Sequence, residues 1–553
     1  MTHDPVIETF ENTLLAPPLD SAAPIGPQEP DEDNLPDGAG LARATTILAI
    51  GNIASRVLGF AKEILLSNYF GAGRFVDAFQ IAITIPQDVF DLTISGYINS
   101  ALVPVMSEYA AKDRHELWRL ASALLGLACL ITSTIVLILE LFAPQMITLY
   151  RGTSISPEAF NLSVYLLRIT APALIFMSLF AVASGLLYAL KRFTWPAFAA
   201  ALFNGTIVVT MVLLAPTMGI ERAAIGFVLG AALQLFLQLG GLRGNLHGER
   251  LWLLLWHPGV RRIALLYVPV MLSLIMDIFI RLFSYNLASQ AGDGSIAYMN
   301  WATSLREFPL GLVGTAISIA ILPTLARQAL RSEARQEFKD TLGQGIRLAL
   351  VLIIPATIGM FTVAGPLVGL VYERGLFTAQ MTEITRDVLR FYLVGIPFAA
   401  VDLLLIYAFY ARKDTTTPAL IGIFSLACYI VIALVLWPTY RLFSLMIADS
   451  LKHVIHMTIS IIVLRHRLGG LGSQRLPTTL LKVTLAAIPM ALITYALVQS
   501  AKDLWPVEGL TQRAILVIMP SFFGAVTYFI LASLLKLNEF SWFMQALRRK
   551  IRR

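Results

Sequence analysis

Tyr188-Ala189-Leu190-Lys191-Arg192-Phe193-Thr194-Trp195-Pro196 returns 222 residues later as Tyr410-Ala411-Arg412-Lys413-Asp414-Thr415-Thr416-Thr417-Pro418, with five of nine positions identical. Two further echoes keep nearly the same offset. Gly71-Ala72-Gly73 matches Gly292-Asp293-Gly294 at 221, and Leu102-Val103-Pro104 answers Ile321-Leu322-Pro323 at 219. A single match of this length is chance. Three in order at a near-constant offset point to an internal duplication. Each copy sits at the end of a hydrophobic run, so the fold turns on how many runs separate the copies.

The 553 residues are 57% hydrophobic and 14% charged, with a mean hydropathy of +0.72. A soluble domain carries about 25% charged residues, which excludes an ordinary soluble enzyme of this length. Fourteen hydrophobic segments follow one another, at 44–69, 75–109, 117–147, 158–189, 197–215, 221–241, 263–289, 295–327, 342–371, 380–411, 418–437, 442–464, 478–500 and 513–537. None alternates with the period of a barrel strand, and a spanning helix needs about 20 apolar residues. The repeat offset therefore crosses six spans. An even number keeps both copies in the same orientation, so the halves are parallel and related by an axis along the membrane normal.

These readings predict an all-α polytopic membrane protein of about 14 transmembrane helices, with two six-helix lobes and two C-terminal helices. Residues 1–41 hold nine acids and seven prolines with no Lys or Arg, which predicts a disordered acidic tail. The lobes are expected over 42–243 and 263–466. An interfacial linker (Trp252 and Trp256) falls at 244–262, the last two helices at 467–537, and a basic interfacial tail at 538–553. The net charge is +7, so the chain beyond the acidic tail carries +16. With the N-terminus in the cytoplasm, 23 Lys and Arg fall on the cytoplasmic side, 8 on the other and 11 inside spans. The positive-inside rule then puts both termini in the cytoplasm. Basic residues spaced between apolar runs in this way set topology and do not indicate nucleic-acid binding.

The charges inside the membrane concentrate in segments 1, 2, 7 and 8. Steps of three, four and seven put Asn52, Arg56 and Glu63 on one face, with Lys62 beside it. They also align Thr84, Asp88, Asp91 and Ser95 in segment 2, Ser273, Asp277, Arg281 and Ser284 in segment 7, and Asn300, Ser304 and Glu307 in segment 8, with Arg306 adjoining. Asp277 and Arg281, four apart, are placed to satisfy each other. A charge at the bilayer centre costs about 2.5–3.5 kcal/mol on insertion scales, so such groups face a cavity or a partner. Recurrence in equivalent segments of both halves favours a water-filled central cavity over simple structural pairing. Arg168, Arg390 and Asp402 are expected to snorkel or pair. Asp449, Lys452, His453 and His456 fall in segment 12 without a third metal ligand. No P-loop, CxxC pair or HExxH is present, so a non-enzymatic, secondary transporter is expected, with no cofactor beyond a coupling cation such as sodium or the proton.

Ser55-Arg56-Val57-Leu58-Gly59-Phe60, Phe70-Gly71-Ala72-Gly73 and Asp77-Ala78-Phe79 resemble the opening of the MurJ/MviN lipid II flippases of the MOP exporter superfamily. Val103-Pro104 with Ser107-Glu108-Tyr109, Phe308-Pro309-Leu310-Gly311-Leu312, Ile321-Leu322-Pro323, Arg192-Phe193 and Phe409-Tyr410-Ala411-Arg412 continue the likeness from about residue 44 to 537. The resemblance implies a V-shaped bundle in the bacterial cytoplasmic membrane. It implies export of a lipid-linked peptidoglycan precursor, with helices 13 and 14 forming a groove for the lipid tail. It further implies cavity arginines that hold a diphosphate. Arg56 matches one of them, Lys62 stands where a second arginine is usual, and Arg306 lies two places from a third. Asp88, Asp91, Asp277, Arg281 and Glu307 would pair with these cations or bind a coupling cation. The family's usual Pro-Asn-Leu-Leu-Arg-Arg reads here Pro86-Gln87-Asp88-Val89-Phe90-Asp91, and its Ala-Asp-Arg reads Ala302-Thr303-Ser304. The candidate cavity thus holds four cations and five acids (Glu63 included), which keeps two alternatives open: a cation-coupled exporter of the MATE branch, and a non-transporting scaffold that recruits envelope-synthesis proteins. Membrane lipids are the remaining expected partners, and the chain is expected to act as a monomer.

Overall fold

The computed structural model describes residues 38–95, 101–151, 157–243, 257–470, 475–504 and 509–537. Most of the acidic tail, the Trp252/Trp256 stretch and the basic C-tail lie outside them. Every regular element among the described residues is helical. The first half comprises α1 (Gly38–Phe70), α2 (Arg74–Phe90), α3 (Val103–Lys112), α4 (Arg114–Leu141), α5 (Ala143–Arg151), α6 (Pro157–Thr170), α7 (Ala173–Ala189), α8 (Thr194–Leu213) and α9 (Glu221–Leu242). The second comprises α10 (Pro258–Ser289), α11 (Ser295–Pro309), α12 (Ala316–Ala329), α13 (Arg335–Thr362), α14 (Ala364–Tyr372), α15 (Ala379–Ala411), α16 (Thr416–Tyr440) and α17 (Phe443–Leu468). Two more follow, α18 (Leu476–Leu504) and α19 (Leu510–Leu534). Among the described residues, helix occupies each of the fourteen hydrophobic segments. Ten spans among the described residues are long and apolar enough to cross a membrane, and the bent pair Ser295–Pro309 and Val313–Ala329 makes an eleventh.

The duplication is written into the backbone. Lys191 and Lys413 are both left-handed, with φ of 58° and 60°, and each closes its helix by donating its amide to the tyrosine carbonyl three residues back. The second span of each half passes through a π-helical turn, Asp91–Ser95 and Leu310–Thr315. The third span of each half breaks at Phe142 or Val363, 221 residues apart, and resumes as a nine-residue helix, α5 or α14. Pro144 and Pro366 stand in the first turns of these short helices, where a missing amide hydrogen costs nothing.

Packing repeats too, with one exception. The pairs α2·α6, α4·α7, α7·α9 and α8·α9 correspond to α11·α15, α13·α15, α15·α17 and α16·α17. In the first half α1 lies along α8, whereas its counterpart α10 barely meets α16. Small residues allow the first contact: Gly51 faces Ala197, Gly59 faces Asn204, and Asn204 Nδ2 donates to the Ser55 carbonyl at 3.4 Å. Lipid gives helices no hydrophobic reason to associate, so close approach over small residues decides which pairs pack. The only glycine of α10 is Gly259, and it faces Leu120 of α4.

Helix α10 is therefore held by the other lobe. At one end His257 Nε2 lies 3.0 Å from Glu116, Arg262 pairs with Glu108 at 2.7 Å, and the Tyr267 hydroxyl donates to the carbonyls of Asp91 and Leu92. At the other end Asn286 Nδ2 donates to the Leu149 carbonyl at 3.0 Å, and Ser289 Oγ donates to that of Arg151. The final hairpin, α18 and α19, packs on α13 and α14.

Candidate functional site

The lobes meet tightly at one end of the bundle. Asp77, 1% exposed, accepts hydrogen bonds from the amides of Gly294 at 2.7 Å and Ala297 at 2.9 Å. A carboxylate of the first lobe thus caps the first turn of α11 in the second, satisfying amides that no intrahelical carbonyl reaches and meeting the positive end of the helix dipole. Beside it the Leu376 amide donates to the Asn68 carbonyl at 3.0 Å. The turn at Gly71 (φ +59°) runs so close that a Cβ there would meet the Leu376 carbonyl oxygen at 2.6 Å. Trp301, fully buried, stacks on Tyr372 at 5.5 Å, packs edge-on against Phe377 at 5.2 Å and donates to Glu63 at 3.0 Å. At the opposite end the ties between lobes found among the described residues come from α10.

Asp77 holds this seal as a cap, and removing a capping carboxylate costs about 0.5–2 kcal/mol. Asp77→Ala is expected to loosen the sealed end. In a background lacking Cys129 and Cys428, a Ser295→Cys reporter should react several-fold faster with a water-soluble maleimide once Asp77 is alanine. Unchanged reactivity would show that the aromatic plug alone keeps this end shut.

Deeper in the cleft, α1, α2, α10 and α11 bring the charged residues into three groups. In the first, Asp88, 2% exposed, pairs with Arg281 Nη1 at 2.8 Å and accepts from the Tyr150 hydroxyl at 2.7 Å. The expected intrahelical pairing of Arg281 with Asp277 gives way to this bridge. The reason is burial: Asp88 has no water to solvate it, whereas Asp277 is exposed and points elsewhere. In the second group, Lys62 and Glu63 pair at 3.0 Å, both largely buried. Arg56 is exposed, and its guanidinium approaches the π-turn of the second lobe, 3.8 Å from where a Gly311 side chain would begin. Of the four expected cavity cations, Arg56 alone makes no ion pair among the described residues. Asp91 lies in the π-turn of the first lobe, half-buried.

The third group lies inside the second lobe. Arg306 pairs with Asp449 of α17 and packs over the Tyr392 ring at 4.2 Å, and its link to Glu307 is a looser 3.7 Å. Lys452 Nζ takes the other Asp449 oxygen at 2.7 Å. Arg306 is therefore committed to its own lobe, and Glu307 is left exposed. Asp277 lines a cavity of about 350 Å³ with Asp402, Lys452, His453 and His456. The eight candidate residues thus form a cleft set (Arg56, Lys62, Asp88, Asp91, Arg281) and a second-lobe set (Arg306, Asp277), with Glu307 outside both.

Arg168 and Arg390 behave as expected of charges in spans. Arg168 approaches Glu140 at 3.9 Å, and Arg390 lies over the Phe361 ring and donates to the Phe361 carbonyl. Tyr150, Trp301, Tyr372 and Tyr392 supply hydrogen bonds and stacking that polar spacing does not reveal, because an aromatic residue in an apolar run reads as lipid-facing. An apolar cavity of about 400 Å³ lies against the last two spans, lined by Pro355 and Gly359 of α13, Met490 of α18, and Gly524, Tyr528 and Phe529 of α19. Arg513 docks α19 through Glu373 at 2.9 Å.

Two repeated helical lobes, sealed at one end over a charged cleft, define a membrane transporter of the alternating-access kind. The comparisons narrow this. The sequence profile of the family described as lipid II flippase MurJ matches residues 66–516, and the chain belongs to that family. It is 30% identical to a lipid II flippase MurJ of Burkholderia cenocepacia over 393 residues, 69% of this chain and 76% of the relative. It is 29% identical to a probable lipid II flippase MurJ of Vibrio cholerae over 495 residues, covering 86% and 92%. A solved lipid II flippase MurJ in an inward closed conformation superposes with a TM-score of 0.74 at 22% identity, over 89% of this chain and 99% of that one. An inward-facing multidrug resistance MATE transporter of the MOP superfamily reaches 0.63 at 15%, over 78% and 99%.

Proposed function

We propose that this protein moves lipid II, a polyprenyl diphosphate carrying a disaccharide-peptide, from the inner to the outer leaflet of a bacterial cytoplasmic membrane. The supporting observation is the cleft: sealed at one end by Asp77 and Trp301, it holds an arginine with no protein counter-ion among the described residues. A diphosphate needs such a donor, because a guanidinium binds phosphate oxygens through two parallel hydrogen bonds. Arg281, with one nitrogen on Asp88 and its side chain 39% exposed, is the second donor facing the cleft. The isoprenoid tail leaves sideways and lies against α13, α18 and α19, where the apolar cavity offers carbon surface. With both termini cytoplasmic, as the distribution of Lys and Arg requires, the sealed end faces outward and the cleft awaits substrate from inside. All fourteen helical segments then span the bilayer.

The exporter reading of the MATE branch rests on the acidic stripe of Asp88 and Asp91. Asp88 is engaged by Arg281 and Tyr150, which weakens that reading. The deciding experiment is complementation. Expression in a bacterium depleted of its own lipid II flippase should restore growth and cell shape. Failure to do so at normal membrane levels, with lipid II also unmoved in proteoliposomes, would overturn the reading.

A further inference from the structure

The second lobe contains a largely apolar cavity carrying a cluster of ionisable side chains that the proposed substrate contacts leave unused. It lies between α10, α15, α16 and α17, holds about 350 Å³ and is lined by Asp277, Asp402, Lys452, His453 and His456 among apolar residues. His456 Nδ1 sits 2.6 Å from Asp402 Oδ1, and Ser460 Oγ lies 3.4 Å from the same nitrogen. Both partners are nearly buried, with side chains 12% and 8% exposed. Ionisable pairs at this depth are costly and mark ion or proton pathways.

We propose that the Asp402–His456 pair is the proton-coupling site of the transporter, an inference that rests on the transport reading above. Charge bookkeeping supports it. The charged residues lining the cavity are Asp277 from α10, Asp402 from α15 and Lys452 from α17; α16 adds the Ser425 hydroxyl, and behind the wall Arg306 and Asp449 offset each other beside Tyr392 and Tyr429. With both histidines neutral these sum to one negative charge. Asp402, its side chain only 8% exposed, bears the cost of that excess, because a carboxylate away from water needs a positive partner. One proton taken from water onto His456 Nε2, while Nδ1–H donates to Asp402, makes an imidazolium–carboxylate pair and brings the sum to zero. Release of the same proton restores the neutral ring. Asp449 is not the carrier, because Arg306 and Lys452 already occupy its two oxygens.

The coupling lies in helix α10. It forms one wall of this cavity through Met276, Asp277 and Ile280, yet it is pinned to the first lobe through Glu116, Glu108 and Asp88. It meets α16 through Phe283 and Ser284 against Tyr429. When the lobes rock, α10 travels with the first and withdraws Asp277 from the cavity. That removes one negative charge, so the remaining groups are neutral without the proton. Protonation thus favours the arrangement with α10 in place, and by linkage that arrangement favours the proton.

The experiment uses the full chain in proteoliposomes loaded with lipid II, with membrane potential clamped and a pH gradient imposed. The wild type should speed up by as much as about tenfold per pH unit. Asp402→Asn and His456→Gln should lose that response while keeping gradient-free flux within about twofold. A wild type that moves lipid II regardless of the gradient overturns the proton site and leaves the flippase reading standing. Ring-carbon NMR of histidine-labelled protein gives the independent measurement. The His456 ring signals should respond to the pH of the sample, and Asp402→Asn should alter that response. A His456 signal that ignores pH overturns the proposal whatever the flux. Normal titration with no lipid II movement sinks the flippase reading and keeps the proton site.

Discussion

Arg56→Ala is expected to reduce lipid II flux roughly tenfold to a hundredfold and to abolish complementation. One hydrogen-bonded contact to a charged group contributes about 1.5–3 kcal/mol, and Arg56 is the cleft cation without a protein partner among the described residues. Arg56→Lys should retain part of the activity, since it keeps the charge and loses the two-pronged geometry. Neither change should alter thermal unfolding by more than about 0.5 kcal/mol, the usual range for exposed positions. The measurement is lipid II translocation in proteoliposomes alongside a melting curve in detergent. Wild-type flux in Arg56→Ala would remove Arg56 from the substrate site. A large loss of stability would mean that the side chain does structural service at the π-turn.

The second large effect concerns Asp88 and Arg281. Removing one member of a buried ion pair strands the other, at a cost of about 3–5 kcal/mol. Arg281 reaches the cleft with its side chain 39% exposed, so screening lowers the expected cost to about 1–3 kcal/mol. Arg281→Met should be the more damaging single change, because it leaves Asp88 ionised at 2% exposure with only the Tyr150 hydroxyl beside it. Asp88→Asn combined with Arg281→Met should recover most of the lost stability, relative to Arg281→Met alone, without restoring full flux. Thermal unfolding of the four proteins in one detergent closes the cycle. Additive losses would mean the two side chains do not act as a pair.

Much of the architecture was readable in advance. Lys191 and Lys413 fall in repeated motifs, and both turn out left-handed with matching hydrogen bonds. The described residues of the apolar segments are largely helical, because in lipid a chain must satisfy its own amides and a helix does so within one segment. The breaks at Phe142 and Val363 carry only a faint sequence mark, Pro144 and Pro366, inside otherwise continuous apolar runs. The detachment of α10 was also inferable. Alpha1 carries Gly51 and Gly59 where it meets α8, and α10 offers no glycine beyond Gly259.

The charges were harder. Their concentration in four segments followed from spacing, and so did the face each occupies. Partner choice did not, since helical periodicity orders residues within one helix and carries no information about which helix lies opposite. Asp277 and Arg281 look like a pair on α10, yet Asp88 claims the arginine from α2. Arg306 looks like a cleft cation, yet Asp449 claims it 143 residues on. Composition and period therefore decide that this chain lives in a membrane as two repeated helical lobes. The burial created when those lobes pack decides which charges neutralise one another, because the energy of a charge depends on the water and partners left around it. The same packing leaves Arg56 without an ion pair among the described residues and brings Asp402 and His456 together inside the second lobe.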